Sequence, residues 1–493
     1  MLPQLEIADT VRRTVAPGIT QKHKAEFGQF LTPSSVARFM ASLFPASTVR
    51  TCRLLDAGAG VGALSCAFLD RWVAGGFGFD AVEATAYEID DNLRGHLAQH
   101  LGGYQGVTPR IIAGDYIELA TADDLFATKQ PSGYTHAILN PPYKKINRNS
   151  AHRLALRRVG IETVNLYSAF VALAVAQAAP GGQIVAIIPR SFCNGPYYRP
   201  FRDFILKRAA VRHMHLFESR SKAFKDDEVL QENIIIRLER DSQQRGVTVS
   251  TSTDDTFTDL VTHGHPFERI VFPNDPEQFI HVPTSPEKNA IELSPAIRCT
   301  LADQGIKVST GPVVDFRLKE HLREMPGEGT IPLLYPGHFS GAGTTWPVED
   351  MKKPNAIERN ADTEKWLYPS GFYCVVRRFS SKEEKRRIVA SVVEPSAFGD
   401  APVLGFENHL NVFHENKRGL PEALARGLAV FLNTTAVDEN FRRFNGHTQV
   451  NATDLKLMKY PSREILIELG EWAMQQGART QDQIDAKLGT LTE

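Results

Sequence analysis

The stretch Tyr134-Thr135-His136-Ala137-Ile138-Leu139-Asn140-Pro141-Pro142-Tyr143 decides how this chain of 493 residues is read. Its first six residues form a largely apolar run of the kind that fills a buried strand of a parallel sheet. The two prolines that follow each remove a backbone donor and hold the preceding residue extended, so the chain leaves the sheet as a stiff hook. At the hook the Asn140 amide oxygen and the neighbouring peptide carbonyls are acceptors with few local donors to satisfy them. Tyr143 adds a flat aromatic face. Acceptors beside a stacking plate suit a planar ring with an exocyclic amino group, adenine being the obvious candidate. A rigid turn is the plainer alternative for such a segment taken alone.

Three earlier segments end in the same manner. Leu54-Leu55-Asp56-Ala57-Gly58-Ala59-Gly60-Val61-Gly62 reads as a strand, a small-residue turn and a helix start. The glycines there let the backbone turn tightly and approach a ligand closely. Ala84-Thr85-Ala86-Tyr87-Glu88-Ile89-Asp90 ends in an acid able to accept from both hydroxyls of a ribose. Arg110-Ile111-Ile112-Ala113-Gly114-Asp115-Tyr116 repeats the pattern and places Asp115 where an adenine amino group would lie. One acid at one strand end is usually a solvated terminus. Endings of this kind in succession, with the proline hook last, point to a nucleoside-binding α/β sheet.

With its parts in this order the chain resembles the S-adenosylmethionine-dependent adenine-N6 DNA methyltransferases of the gamma group. Phe27-Gly28-Gln29-Phe30-Leu31-Thr32-Pro33 resembles their leading, methionine-binding segment, and an amphipathic helix through Val36, Phe39, Met40 and Leu43 follows. Thr32-Pro33 also reads as a helix start, with Thr32 as cap and Pro33 in the first turn. Three longer segments are similar to the PstI/BsuBI-type modification methyltransferases. They are Gly160-Ile161-Glu162-Thr163-Val164-Asn165-Leu166-Tyr167, the stretch from Ile187 through Pro189-Arg190-Ser191-Phe192 to Gly195, and the stretch from Phe444 to Leu455.

The resemblance implies a Rossmann-like, doubly wound mixed sheet followed by a C-terminal α+β target-recognition domain. It implies S-adenosylmethionine as methyl donor, held by Phe30, Thr32, Asp56, Gly58, Gly60, Glu88, Asp115 and Asn140, with no metal. The Asn140 side-chain oxygen and the Pro141 carbonyl would accept the two hydrogens of the adenine amino group. That favours tetrahedral nitrogen and stabilises the positive charge that develops on it. The target nucleotide would be flipped from double-stranded DNA and stacked by Tyr143 on one face and Phe224 on the other. Phe224 reads equally well as a core residue. The family likeness also suggests a CTGCAG-type palindrome and leaves a separate cognate restriction endonuclease open.

Composition agrees without leading there. With 42% hydrophobic and 23% charged residues the chain is an ordinary globular protein, long enough for two domains. No stretch approaches the roughly 20 apolar residues of a membrane span. Met1 to Gln21 lacks the basic-then-apolar pattern of a secretory signal, so a cytoplasmic location is expected. The 5 cysteines are scattered without a C-x-x-C pair, against a zinc site or disulfide framework.

The 56 Lys and Arg are balanced by 57 Asp and Glu, so contact with DNA must come from local patches. Lys144, Lys145 and Arg148 directly follow the hook, with Arg153, Arg157 and Arg158 beyond, where the phosphates flanking a flipped base would pass. A second run is Arg199, Arg202, Lys207, Arg208 and Arg212. A third is Arg377, Arg378, Lys382, Lys385, Arg386 and Arg387, diluted by Glu383 and Glu384. A charge run is more often a solvated face.

The first domain is set at residues 1–265 and the second at 266–493, the boundary lying somewhere between Thr256 and Ser294. In the second domain, rich in Gly, Pro and aromatic residues, His447-Thr448-Gln449-Val450-Asn451 is the candidate reading segment. Gln449 and Asn451 would pair with adenine, and Arg442 or Arg443 with guanine. Against this, Asn445-Gly446 reads as a turn and Asn451 as a helix cap. Two other functions share the strand ending: methylation of RNA bases or of glutamine in a protein, and DNA binding by a catalytically silent relative. The long second domain weighs against the first, and the intact Asp56, Glu88, Asp115 and Asn140 against the second. A fused nuclease lacks both a motif and the length.

Overall fold

The computed structural model describes residues 3–15, 31–122, 133–218, 232–273, 275–340, 343–380, 383–446, 448–477 and 479–492, apart from the side chain of Pro196. Phe30, Phe224 and His447 lie outside the described residues. The chain forms two compact units, Met1–Pro286 and Glu287–Glu493.

The first unit is built on strands β1 (Thr51–Ala57), β2 (Ala81–Glu88), β3 (Val107–Ala113), β4 (Tyr134–Leu139), β5 (Ala178–Pro189), β6 (Ala209–Phe217), β7 (Asn233–Arg240), β8 (Val247–Ser252) and β9 (Val261–His265). They form one sheet in the order β3-β2-β1-β4-β5-β7-β6-β8-β9. The pairs from β3 to β5 are parallel, and β7 runs antiparallel to both neighbours. Successive residues of the central strands enter opposite cores. Leu55, Ala137, Leu139, Ile184 and Ala186 share one, and Leu54, Ile138, Val185 and Ile187 the other. Helices cover both faces, which is why these strands read as unbroken apolar runs. The helix Leu166–Gln177 belongs to the first core, buried from Tyr167 to Val175, and the helices Ser34–Ser42 and Ala63–Val73 belong to the second.

From β1 the chain winds outward through β2 to β3, then returns to β4 on the other side of β1. That reversal opens a crevice beyond the carboxyl ends of the strands, the usual ligand position in such sheets. Every strand ending singled out in the sequence lies there. The doubly wound mixed sheet is the architecture expected from the strand pattern.

Residues 266–286 pack on the first unit, which sets the division at Pro286, inside the interval Thr256–Ser294. Ile280 N–H donates to Cys193 O at 2.9 Å, and the buried Arg202 guanidinium donates to Glu277 O at 3.0 and 2.8 Å. The anchoring groups lie some 75 positions away, so composition gives no warning of it.

The second unit is α+β. A four-stranded sheet orders Lys307–Thr310, Leu410–His414, Tyr373–Arg377 and Ala390–Val393. A five-stranded sheet orders Leu322–Arg323, Ala356–Glu358, Thr330–Leu334, Val403–Phe406 and Leu367–Pro369. The helices Glu422–Leu432 and Arg463–Gln475 cross in backbone contact. A Cβ on Gly427 would lie 1.7 Å from Leu466 O, and one on Gly470 1.7 Å from Ala423 O. No helix among the described residues is long and apolar enough to cross a membrane.

Candidate active site

A cavity of about 350 Å³ opens at the carboxyl ends of β1 to β4, within the range of small-molecule sites. Gly58 and Gly60 form its floor, Glu88 and Asp115 one wall, and Asn140 and Pro142 the other.

The floor requires glycine. Gly58 has φ +77°, and its absent Cβ would approach Asn140 O and Pro142 Cδ at 3.9 Å, so the turn after β1 lies against the hook after β4. Gly60 has φ +57°, and a Cβ there would sit 2.9 Å from Leu31 Cδ2. Glu88 fixes the loop. Its Oε2 accepts from Gly60 N–H at 2.6 Å and its Oε1 from Asp90 N–H at 2.8 Å. Burial raises the Glu88 carboxyl above its usual range, against the lowering pull of these N–H groups.

Asp56 departs from its expected role. It is 1% exposed and does not line the cavity; it braces the turn from below, Oδ2 accepting from Ser65 Oγ at 2.6 Å. Its Oδ1 is buried without a hydrogen-bond partner among the described residues. Burial pushes its carboxyl up to about 7 despite the Ser65 hydrogen bonds. An acid ending an apolar strand points inward or outward according to strand register, which the residue run alone does not display.

Asp115 does reach the cavity, but both oxygens are engaged. Oδ1 caps the helix Tyr116–Ala120 by accepting from Glu118 N–H at 3.0 Å, and Oδ2 faces His152 Nε2 at 3.2 Å. Burial alone would raise the Asp115 carboxyl; the His152 and Glu118 bonds overcome it and hold the group below its ordinary value. The hydrogen bond to Asp115 in turn raises His152. His152 lines the cavity and was not singled out in the sequence, where it sits inside a basic helical run, Ala151–Arg158.

Asn140 is held from two sides. Its Nδ2 donates to Thr32 Oγ1 at 3.0 Å, and Tyr143 Oη donates to its Oδ1 at 3.2 Å. Thr32 is therefore not the helix cap. Pro33 takes that position for the helix Ser34–Ser42, and the Ser34 N–H is met by Asp9 Oδ1 at 3.3 Å. The Tyr143 ring meets Tyr167 edge-on at 6.3 Å. Beyond the hook, Ile146 N–H donates to Val164 O and Leu166 N–H to Lys144 O, each at 2.8 Å. The Gly160–Tyr167 segment thus pairs with the hook's exit and fixes its course.

The basic residues divide. Lys144, Lys145 and Arg148 are exposed, the two lysines at the cavity itself. Arg153 and Arg157 are both paired with Glu162. Arg202 is fully buried, Arg212 pairs with Glu239 at 2.6 Å, and Arg387 is 2% exposed. Within the second and third runs Arg202 and Arg387 are internal, Lys207 and Lys385 are exposed, and Lys382 lies outside the described residues.

In the second unit, Arg442 and Arg443, expected to contact guanine, both have partners within the chain. Arg442 pairs with Asp438 at 2.7 Å and donates to Glu384 O at 2.9 Å, while Arg443 pairs with Glu292. Asn451 is the N-cap of the helix Ala452–Leu457 and shares a capping box with Asp454, so it too is structural. Gln449 is half-buried, its Oε1 accepting from Arg378 Nη2 at 3.3 Å. No grouping of three or more His, Cys, Asp or Glu suited to a metal occurs among the described residues.

A family model described as Eco57I restriction-modification methylase matches residues 108–224, which span β3, β4, β5 and the hook. Over 495 residues the chain is 54% identical to the type II methyltransferase M.BsuBI of Bacillus subtilis, covering 99% of this chain and 98% of that one. It is 41% identical over 473 residues to the type II methyltransferase M.PstI of Providencia stuartii, covering 94% and 92%. Among solved structures, the type IIL restriction-modification enzyme MmeI in complex with DNA matches with a TM-score of 0.53 at 10% identity, over 99% of this chain and 73% of that one. At that identity the likeness is one of fold.

Proposed function

The chain belongs to the type II methyltransferases of restriction-modification systems, and on that premise we propose that it methylates N6 of an adenine flipped out of duplex DNA. S-adenosylmethionine supplies the electrophilic methyl group when bound. The cavity residues fit it. The two cavity glycines admit a ligand against bare backbone, and the Glu88 and Asp115 carboxylates that line the same cavity suit the hydroxyls of a ribose and the amino group of a purine. Thr32 reaches the same place from the N-terminal side.

The observation that carries the reading is the Asn140 amide, oriented by Thr32 and Tyr143 at the edge of this cavity. An adenine amino group is a weak nucleophile because its lone pair is delocalised into the ring. Asn140 Oδ1 and the Pro141 carbonyl would accept its two hydrogens, localising the lone pair and stabilising the charge that grows on nitrogen. Tyr143 would stack on the flipped base, while Lys144, Lys145 and Arg148 meet the flanking phosphates. No covalent intermediate and no dedicated strong base are required. The second unit would choose the word, and a separate restriction endonuclease reading the same word would complete the system.

The test is transfer of labelled methyl groups to duplex DNA by the purified full chain, with modification-sensitive sequencing of DNA from cells expressing it. N6-methyladenine at one fixed position of one word is expected. Methylation of RNA or of protein glutamine, with none in duplex DNA, would overturn the reading.

A further inference from the structure

Arg442, Arg443 and Asn451 are engaged within the second unit, whereas Gln449, also expected to read a base, stands in a small surface built from three segments. Beyond the strand Tyr373–Arg377 the chain continues between two other segments. Arg378 N–H donates to His409 O at 2.8 Å on one side; on the other, Val450 N–H donates to Arg378 O at 2.7 Å and Ser380 N–H to Thr448 O at 3.1 Å. Residues 378–380, 407–409 and 448–450 therefore lie side by side as a small platform.

Its polar groups are fixed from below. Glu407 is 0% exposed, and its Oε2 accepts from both His409 N–H, at 2.8 Å, and His409 Nδ1, at 2.5 Å. A carboxylate on Nδ1 sets the ring's orientation and tautomer and turns Nε2 outward. The His409 side chain is 38% exposed, and Nε2 has no hydrogen-bond partner among the described residues. Phe379, 40% exposed, lies 4.9 Å from the His409 ring. Arg378 spans the platform, donating to Asn408 O at 3.1 Å and to Gln449 Oε1 at 3.3 Å, which leaves the Gln449 amide N–H groups turned away from it.

The surroundings favour nucleic acid as occupant. Phe316 and Phe379 are the exposed aromatic side chains among the described residues of this unit, and each carries an arginine over its ring, Arg317 at 5.5 Å and Arg378 at 5.7 Å. The segment leading to Phe316 runs beside Glu407, Asn408 N–H donating to Val313 O at 2.9 Å. Exposed rings paired with guanidinium groups offer apolar contact and positive charge together, as base edges between phosphates require.

We propose that His409, held by Glu407 and flanked by Phe379 and Gln449, is a specificity-determining residue that hydrogen-bonds a base edge of the target word through Nε2. The proposal rests on the reading of the chain as a DNA methyltransferase. With Nδ1 engaged by Glu407, Nε2 is the ring nitrogen left to meet the exocyclic amino group of cytosine or adenine, and Phe379 covers the adjoining apolar edge.

The experiment uses the full chain, its wild-type word read first by sequencing, and duplexes carrying every single-base change in that word. His409→Ala, His409→Gln and Phe379→Ala are compared for methylation rate on each duplex, alongside thermal stability and affinity for S-adenosylhomocysteine. Discrimination should fall by about tenfold to a hundredfold at one base position, with the other positions, the stability and the cofactor affinity unchanged. The base selected there identifies the partner as cytosine or adenine, and His409→Gln should retain part of the discrimination. Should His409→Ala not fold, His409→Gln and Phe379→Ala carry the comparison. Undiminished discrimination at every position, or an equal loss on every duplex, overturns the proposal. A wild-type chain that methylates no duplex overturns the functional reading, and the platform with it.

Discussion

Asn140 Nδ2 donates to Thr32 Oγ1 at 3.0 Å across 108 positions of sequence. With Nδ2 given to Thr32, the amide turns its oxygen to Tyr143 Oη. Thr32→Val keeps the buried volume and removes the acceptor. Its kcat should drop by up to about tenfold, the worth of one hydrogen bond, with a smaller change in S-adenosylhomocysteine affinity. Asn140→Ala should cost on the order of 100- to 1000-fold or more in kcat with that affinity largely kept. Equal kcat in Thr32→Val and wild type would detach Thr32 from the chemistry.

Tyr143 offers both a ring and a hydroxyl, and the two can be separated. Tyr143→Phe releases the Asn140 oxygen while keeping the stacking face, so single-turnover rates should stay within a few-fold of wild type. Tyr143→Ala removes a stack worth about 1–3 kcal/mol per base and should slow transfer by about 10- to 100-fold. If both variants lose the same amount, the hydroxyl rather than the ring is what matters.

The His152–Asp115 pair predicts a pH dependence. His152 is raised above its ordinary 6.5, so its contribution to stability is complete below that value and fades as pH rises through its folded value. Asp115 is lowered from 3.8, so its contribution is present above 3.8 and fades as pH falls through its folded value. The gap in Tm between wild type and His152→Gln should therefore be widest between those limits and close toward alkaline pH. A gap that does not vary with pH would mean that the pair carries no charge.

Gly427 and Gly470 are where the two long helices of the second unit meet. Gly427→Ala would force a methyl group to within 1.7 Å of the Leu466 carbonyl unless the helices separate. Such overpacking costs about 1–3 kcal/mol or more, visible as a lowered Tm or denaturation midpoint. An unchanged midpoint would show that the helices part freely.

Arg443 pairs with Glu292 with both side chains largely buried, at 13% and 11% exposure. Arg443→Ala should lower thermal stability and leave the methylated word unaltered. A changed word at unchanged stability would return Arg443 to the reading surface.

The sheet was legible because the strands β1 to β4 carry apolar stretches that stop at an acid or at the hook. Glu88, Asp115 and Asn140 were legible as cavity residues for the same reason. Asp56 was not, because its inward direction is set by its packing against Ser65. The engagement of Arg443 was not legible because Glu292 lies 151 positions away, whereas the Arg442–Asp438 pair has ordinary helical i,i+4 spacing and was open to reading. His152 gave no signal, since its partner Asp115 stands on a different element. His409 stood beside an acid two residues away, Glu407, but without a strand register nothing aligned it with Phe379 and Gln449.

Glu88 ties the glycine turn to the second strand through the Gly60 N–H, and Tyr87 O adds those of Gly58 and Ala59. A glycine-rich segment has much freedom to lose, and here it is lost when the domain folds rather than when a ligand arrives. The ordering entropy of that wall is thus charged to folding, and a nucleoside that docks against it meets a surface already in its final shape.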